Sequence, residues 1–361
     1  MVVSDLDRIA KSRCTRFLSQ HLPASPAMVL HHLGETKYAQ QDPDFYGEGG
    51  VVEELELRTA QLLGKPAARF FIKGMTAQLC SFRAHADRAG SNNLVIHPMS
   101  HLDIDEGNAI ERVGGMAAIR LGRFAPFGVQ DLESLTEPLA AVSLELPLRR
   151  AGYRLPPLDE LRAISAWCRA RGVPLHFDGA RLWEAAAGYG VALADLASLA
   201  DTIYVSFYKG LGGLGGAILA GPEEHVRSLG VWKTRYAGNL FTAFPYAIAA
   251  LHGLDTHLPR MGGYVERARA LASRLQDRHR SVVHPFPPQT NAFQILLEGS
   301  PTELKIRNRD FAVRNGVWLF NTFVEAPRDR WTIAEIVIGD AADHYDDAEA
   351  AEWLAEFSMS S

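Results

Sequence analysis

The 361-residue sequence contains little cysteine and no long apolar run. Its three cysteines, Cys14, Cys80 and Cys168, are odd in number and match no metal-binding spacing, which argues against a disulfide framework and against a metal site. No stretch of about 18 apolar residues is present, so no membrane-spanning helix is expected. The first residues, MVVSDLDRIAKSRC, are charged and lack the apolar core of a signal peptide. These absences predict a cytoplasmic protein without a membrane partner.

Neither sign of charge dominates. The sequence has 37 basic and 42 acidic side chains, which give a formal net charge of −5. The arginines between residues 267 and 280 are separated by Ala, Leu and Asp at helical spacing, a pattern typical of a solvated helix face. We therefore expect no nucleic-acid partner. With 47% hydrophobic residues and no internal repeat, the composition is that of a globular protein.

Short apolar strands and helices alternate through the middle of the chain. The predicted strands are residues 67–72, 93–97, 116–121, 139–146, 173–178, 202–207 and 215–221. The segment LDELRAISAWCRARG (158–172) has apolar side chains on one face and charged ones on the other, as in an amphipathic helix. Near-continuous apolar strands separated by helices predict an α/β fold with a mostly parallel sheet covered on both faces.

The pattern changes towards both ends of the chain. Residues 1–20 have the pattern of an amphipathic helix, and residues 21–50 that of an irregular arm rich in Pro, Gly, His and Asp. Long helices are predicted at 241–258 and 263–278, before two strands and a last helix. The expected organisation is an N-terminal helix and arm over 1–50, a large domain over 51–255 and a small α/β domain over 256–361.

Charged residues end two consecutive predicted strands. Asp178 ends VPLHFD, and Lys209 closely follows TIYVSF. Taken singly, Asp178 could cap the following helix and Lys209 could be a surface charge. Consecutive strands of such sheets are usually neighbours, however, and ligands bind at the carboxyl ends of the strands. We therefore expect both side chains to reach one crevice, close to Arg181.

The segment SFYKGLGGLGG contains a literal G-x-G-x-x-G, from Gly210 to Gly215. A dinucleotide-binding fingerprint follows a first strand and opens a helix. Here the glycines run into the apolar strand AILAG, and no helix begins on them. The context therefore disfavours a dinucleotide. The glycines are interpreted as positions where the backbone approaches a ligand without a Cβ clash.

An aspartate for a pyridine nitrogen and a downstream lysine for a Schiff base form the pair that pyridoxal phosphate requires. Four segments resemble, in order, motifs of the threonine aldolase / β-eliminating lyase family of fold-type I pyridoxal-phosphate enzymes. They are DFYGEGGVVEELELRTAQLLGKPAARFF, SHLDIDEGNAI, VPLHFDGARLWEAAAGYGV and SFYKGLGGLGGAILAG. The resemblance implies an aspartate aminotransferase-like fold with a seven-stranded sheet. It also implies a homodimer or homotetramer with the active site at the subunit interface.

The resemblance implies a role for each matching residue. Lys209 would join the cofactor aldehyde, and Asp178 would keep the pyridine nitrogen protonated. His101 would stack on the cofactor ring, the alternative being an ordinary core histidine. Arg181 would bind the substrate carboxylate or the phenolic oxygen of the cofactor, the alternative being a surface helix charge. Ser206 is a further candidate for binding the phosphate.

The phosphate would lie where the helix MTAQLCSFRAHADRAG begins. The backbone N–H groups of Gly74, Met75 and Thr76 suit an anion, because helix N-termini favour negative charge. The family's phosphate loop, SGTMGN, corresponds to KGMTAQ in this sequence. Lys73 therefore takes the place of a serine, and we expect it to contribute to phosphate binding.

The segment that departs most from the family is ELPLRR. The family's ENTH motif places a histidine near the β-hydroxyl of the substrate, and Leu148 stands at that position here. Cleavage of the Cα–Cβ bond needs a proton acceptor on that hydroxyl. Arg149, His101 or an N-terminal histidine, His31 or His32, would have to replace it.

Three further motifs are altered. The N-terminal RSDTVT is missing, which leaves Ser19 as a candidate for substrate binding, and Arg330 in DRWTIAEIV resembles the family's carboxylate-binding arginine. RYAGNLFTAF stands in place of GGGMRQAG, so Arg235 or Tyr236 would reach the phosphate of a neighbouring subunit. We expect this segment and the arm at 21–50 to cross the interface.

The expected function is that of a pyridoxal-phosphate-dependent lyase acting on an amino acid. The favoured reaction is aldol-type cleavage or formation of the Cα–Cβ bond of a β-hydroxy-α-amino acid. β-Elimination, transaldolation and racemisation are alternatives, because the same cofactor supports them. A non-catalytic regulator that binds the cofactor is a further alternative, against which the presence of both Lys209 and Asp178 argues.

Overall fold

The computed structural model describes residues 5–276 and 281–359. Its strands are β1 (Arg16–Phe17), β2 (Ala67–Phe71), β3 (Asn93–Ile96), β4 (Ala117–Arg120), β5 (Ala141–Glu145), β6 (Leu175–Gly179), β7 (Thr202–Ser206), β8 (Ala217–Gly221), β9 (Ser281–His284), β10 (Ala292–Glu298), β11 (Val317–Trp318), β12 (Phe323–Glu325) and β13 (Trp331–Val337). Its α-helices are α1 (Asp5–Ser12), α2 (Pro26–Gly34), α3 (Gly50–Leu63), α4 (Gly74–Ala89), α5 (His101–Ile104), α6 (Ala109–Arg112), α7 (Val129–Glu133), α8 (Leu158–Arg171), α9 (Leu182–Tyr189), α10 (Leu193–Ala197), α11 (Glu223–Arg235), α12 (Phe244–Thr256), α13 (Met261–Gln276), α14 (Pro301–Asn315) and α15 (Asp347–Met359). The predicted helix at 263–278 and the arginine-containing stretch up to 280 extend beyond the described residues.

The larger of two compact units is formed by Ser25–Arg260. It contains a seven-stranded sheet with the strand order β2-β8-β7-β6-β5-β3-β4. The strands from β3 to β7 pair in parallel, whereas β8 is antiparallel to both β7 and β2. All residues of β6, β7 and β8 are buried, as expected of strands covered by helices on both faces. The predicted α/β fold with a mostly parallel sheet is therefore confirmed.

Helices α4 and α8 show how the sequence sets the layers around the sheet. On α4, Met75, Leu79 and Phe82 are spaced at one helical face and pack into the core with Leu94 of β3. Helix α8 has acidic residues in its first turn and arginines in its last, which complements the helix dipole. It ends at Gly172, whose φ of +62° suits glycine.

The smaller unit combines the residues before Ser25 with those after Arg260. It contains a four-stranded antiparallel sheet in the order β12-β13-β10-β9 and a short parallel pair, β1 with β11. Helix α1 lies beside α14, where Lys305 pairs with the buried Asp7 at 3.1 Å. These contacts place the N-terminal helix with the C-terminal unit, so the structure divides the chain differently from the predicted boundaries at 50 and 255.

The segment 21–50, expected to be an irregular arm, contains helix α2 and the short 3-10 helix Lys37–Gln40. Helix α2 begins with an N-cap serine: Ser25 Oγ accepts the N–H of Met28 at 3.2 Å, and Pro26 stands at the first helical position. The expectation of an irregular arm was wrong for these residues, because the N-cap Ser25 and Pro26 together start a helix.

Of the helices in the described parts of the chain, none has the length and apolar character needed to cross a membrane. The cytoplasmic location expected from the sequence stays a prediction.

Candidate active site

Asp178 and Lys209 lie at the same edge of the large sheet. Asp178 is near the end of β6, and Lys209 follows the end of β7, which is the parallel neighbour of β6. Both side chains line one cavity of about 210 Å³ in the larger unit. The cavity wall also includes Lys73, His101, Asp105, Glu145, Arg149 and Arg181. The expected crevice at the carboxyl ends of two neighbouring strands is thus present.

The Lys209 amine is mostly buried. Burial and the nearby guanidinium of Arg181 lower its pKa to about 8, although the carboxylates of Asp178 and Glu145 act in the opposite direction. A substantial fraction of the amine is therefore neutral near physiological pH. A neutral amine is the nucleophile that attacks a carbonyl group.

The Asp178 carboxylate is 1% exposed and accepts hydrogen bonds within the protein. Gln78 Nε2 donates to Oδ2 at 3.1 Å, and the N–H of Ala180 donates to Oδ1 at 3.4 Å. The alternative of a helix cap does not apply, because the N-cap residue of α9 is Arg181. A buried carboxylate is costly unless it is paired, so Asp178 suits a cationic partner inside the cavity.

The His101 ring is held between two carboxylates. Its Nδ1 lies 3.0 Å from Asp105 Oδ2, and its Nε2 lies 2.7 Å from Glu106 Oε1. The side chain is 35% exposed and lines the cavity, so His101 is not the ordinary core histidine that was the alternative. Burial alone would raise the pKa of Asp105, but hydrogen bonds from Arg150 and His101 lower it to about 2. Asp105 therefore stays ionised and fixes the ring.

Glu145 was not predicted from the sequence. It ends β5 and stands opposite Asp178 in the strand register. Its Oε2 accepts the N–H of His101 at 2.6 Å, and its Oε1 accepts the N–H of Arg149 at 3.0 Å. Burial and the neighbouring Asp178 raise its pKa. An acid at the end of the apolar run LAAVSLEL was the available signal, the same one that identified Asp178.

The start of α4 has features that suit an anion. The N-cap residue is Lys73, whose ammonium group has no acceptor for a capping hydrogen bond, and the first N–H groups of a helix have no intrahelical acceptor. A Cβ at Gly74 would lie 2.1 Å from the Tyr204 hydroxyl oxygen, so only glycine fits. The side chain of Met75 is buried in the core beside Leu79, which leaves its backbone for a ligand.

The other predicted residues divide between the two units. Ser206 Oγ donates to the carbonyl of Ala180 at 2.8 Å and is buried, so the hydroxyl already has an acceptor. Thr76 is half-buried near Gly238, which brings RYAGNLF next to the start of α4. Ser19 and Arg330 belong to the smaller unit, and their roles stay predictions.

Arg181 is partly buried in the cavity wall, with its guanidinium 5.3 Å from the centre of the Tyr153 ring. Leu148 is 2% exposed and offers no proton acceptor where the family has a histidine. His32 Nε2 lies 3.0 Å from His252 Nε2, and neither His31 nor His32 is among the described residues that line the cavity.

Two interface candidates stand at the C-terminal end of α11, Arg235 as its last residue and Tyr236 directly after it. The exposed guanidinium of Arg235 lies 4.5 Å from the centre of the Trp232 ring, and Tyr236 stacks on that ring at 5.8 Å. Both residues are therefore near the surface of the larger unit.

The residues of the cavity fit pyridoxal phosphate at its three anchoring points. Lys209 supplies an amine for the aldehyde, Asp178 a buried carboxylate for the pyridine nitrogen, and the start of α4 an electropositive end for the phosphate. With the mostly parallel sheet, these features define the class: a fold-type I enzyme that uses pyridoxal phosphate.

Comparison with known proteins agrees with this assignment to the pyridoxal-phosphate enzymes. Residues 32–298 match the model of the β-eliminating lyase family. Aldolase vrtJ of Penicillium aethiopicum is 30% identical over 76% of this chain and 73% of its own length. The low-specificity L-threonine aldolase 1 of Arabidopsis thaliana is 25% identical over 78% of this chain and 81% of its own. An uncharacterised protein of Caenorhabditis elegans is 27% identical over 65% of this chain and 58% of its own.

Among solved structures, a proposed L-allo-threonine aldolase of Listeria monocytogenes has a TM-score of 0.91 and 32% identity. The match covers 98% of both chains. The chain belongs to the β-eliminating lyase family. It is a threonine aldolase-like lyase that depends on pyridoxal phosphate, as the sequence analysis expected.

Proposed function

We propose that the protein cleaves or forms the Cα–Cβ bond of a β-hydroxy-α-amino acid. The observation that carries this proposal is the pairing of Lys209, with its lowered pKa, and Asp178 in one cavity. The names of the Arabidopsis and Listeria proteins support the reaction type. The substrate is an amino acid, and which one is a matter for experiment.

Each polar group of the cavity has a proposed task. Bound pyridoxal phosphate supplies the electron sink that stabilises charge at Cα. Lys209 presents a neutral amine, and Asp178 holds a proton on the pyridine nitrogen. The N–H groups of Gly74 and Thr76 bind the phosphate, and Arg181 binds the substrate carboxylate.

β-Elimination is the second candidate reaction. It breaks the bond between Cβ and a leaving group and needs no proton acceptor on a β-hydroxyl. The buried, apolar Leu148 at the position of the family's histidine is the observation that favours it.

We also propose a homodimer or homotetramer in which a second subunit completes the active site. Phe45, Tyr46 and Phe241 are 60%, 53% and 61% exposed and contact one another edge-on, with ring centres 5.0–5.5 Å apart. Exposed apolar clusters of this kind favour association. They lie in the arm and in RYAGNLF, the segments predicted to cross the interface.

A substrate panel tests the proposed function. The holoenzyme is given threonine, allo-threonine, phenylserine and serine, and the products are identified by mass. We expect glycine and the matching aldehyde. An α-keto acid without glycine would establish β-elimination instead. Turnover of none of these, by protein with a normal cofactor absorbance band, would contradict the proposal.

A further inference from the structure

The carboxylate of Glu145 contacts two separate turns at the cavity. One is the turn after β3, where helix α5 begins at His101; the other is the turn after β5, which continues into Arg149. The N–H of His101 lies 2.6 Å from Oε2, and that of Arg149 lies 3.0 Å from Oε1. Each oxygen thus holds a different turn, and the bond to His101 is shorter than the usual length of about 2.9–3.0 Å for an N–H···O hydrogen bond, whereas the bond to Arg149 is of ordinary length.

The register of strands β5 and β6 fixes the position of Glu145. Glu145 is paired with Asp178 across β5 and β6, so its own backbone position is set by the core of the sheet. Both carboxylates line the cavity that contains Lys209. Glu145 therefore anchors these turns to the same part of the sheet that carries Asp178 and Lys209, the two residues proposed to meet the cofactor.

We propose that Glu145 is a positioning residue that fixes the turns carrying His101 and Arg149 against the cavity of Lys209 and Asp178. Each oxygen of its carboxylate accepts a backbone N–H, a hydrogen-bonding pattern that only the ionised form offers without conflict, and this suits the role. The kinetic part of the inference rests on the proposed function. The electrostatic part rests only on the charged groups that line the cavity.

The first test uses the apoenzyme, and its readout is the pH dependence of chemical modification of Lys209, located by mass spectrometry. The negative charge of Glu145 supports the protonated amine. Glu145→Gln keeps the size of the side chain and removes the charge, so the midpoint of Lys209 modification should fall below its wild-type value near pH 8. An unchanged midpoint would show that the Glu145 carboxylate does not act on the Lys209 amine and would overturn this part of the proposal.

The matched control is Glu160→Gln. Glu160 also accepts a backbone N–H, from Val129 at 2.5 Å, but it is outside the described lining of the cavity. The same chemical change at Glu160 should leave the midpoint pH of Lys209 modification unchanged. A shift of equal size in both variants would indicate a general structural effect and would overturn the proposal.

The second test uses the holoenzyme and separates kcat from KM. In Glu145→Gln the amide nitrogen faces a backbone N–H, so one of the two turns loses its acceptor. Displacement by about 1 Å should lower kcat about 100-fold, with a much smaller change in KM. Glu145→Asp keeps the charge but is too short to reach both turns, so kcat should fall while the Lys209 midpoint stays near that of the wild type.

Wild-type kcat in both variants would overturn the positioning role. If the wild-type holoenzyme cleaves no β-hydroxy-α-amino acid, the proposed function fails. The apoenzyme measurement still decides whether Glu145 acts on Lys209, so the two failures can be told apart.

Discussion

Glu145 and Asp178 face each other across the adjacent parallel strands β5 and β6. Each carboxylate has hydrogen-bond donors of its own: two backbone N–H groups for Glu145, and Gln78 with one backbone N–H for Asp178. We propose different tasks for these two acids: Glu145 holds two turns of the protein, whereas Asp178 meets the cofactor.

Asp178→Asn should lower kcat at least about 100-fold, because a neutral amide cannot hold the pyridine nitrogen protonated. The measurement is steady-state kinetics of the holoenzyme with its absorbance spectrum. Asp159→Asn is the control, since Asp159 is 93% exposed and pairs with Arg162 on the surface of α8. Equal activity of Asp178→Asn and the control would contradict the role of Asp178.

Lys209→Met should stabilise the apoenzyme at pH 7. The folded pKa of about 8 lies below the usual value of 10.5, so the folded state binds the proton more weakly than the unfolded state. The cost of charging the buried amine is fully present below pH 8 and disappears as the pH rises to 10.5. Replacement by Met removes a cost of about 3 kcal/mol at pH 7.

Urea unfolding of the apoenzyme at pH 7 and at pH 10 checks this expectation. The gain in unfolding free energy should be clear at pH 7 and small at pH 10. A variant that is less stable than the wild type at both values would show that Lys209 does not carry this burial cost.

Acid should destabilise the larger unit through three buried histidines. Burial lowers the pKa of His225 to about 4 and that of His176 to about 3, and burial with neighbouring His225 lowers that of His85 well below its usual value. The neutral rings favour the fold above pH 6.5, and this contribution is lost as the pH falls towards the folded pKa values. His225 alone accounts for about 3 kcal/mol between pH 6.5 and 4.

The unfolding free energy of His225→Gln should therefore depend less steeply on pH between 7 and 5 than that of the wild type. His31→Gln is the control, because His31 lies on the exposed part of α2. Parallel pH curves for the wild type and His225→Gln would rule out a buried neutral His225.

Phe241→Ser should dissociate the oligomer. Phe241 contacts Phe45 and Tyr46 in the exposed aromatic cluster, so its loss removes apolar area from the proposed interface. Sedimentation velocity measures the effect, with Phe124→Ser as the control, since Phe124 is 70% exposed but outside this cluster. A wild type that is monomeric at micromolar concentration would contradict the interface.

The sequence was informative wherever one strand or one helix determined the outcome. The apolar runs that became β2 to β8 were recognisable, and those of β6, β7 and β8 are buried at every residue, as expected of strands covered on both faces. The joint position of Asp178 and Lys209 followed from the tendency of consecutive strands to pair.

Features that depend on contacts between distant residues could not be predicted in this way. The pairing of Arg16 with Val317, which places the N-terminal segment in the smaller unit, has no local signal. The Ser206 hydroxyl was expected to be available for the phosphate, but it donates to the carbonyl of Ala180 on another strand end. The contact of Glu145 with His101 likewise joins two turns that are far apart in sequence.

The identity of the reactive lysine is the central claim, and one measurement tests it most directly. Borohydride reduction of the holoprotein makes the bond between lysine and cofactor permanent, and peptide mass spectrometry then locates the pyridoxyl group. Lys233, which is 5% exposed and whose pKa burial also lowers, provides an internal comparison. We predict the label on Lys209 and none on Lys233. A label on Lys233, or a protein that remains unlabelled after incubation with pyridoxal phosphate, would contradict the account.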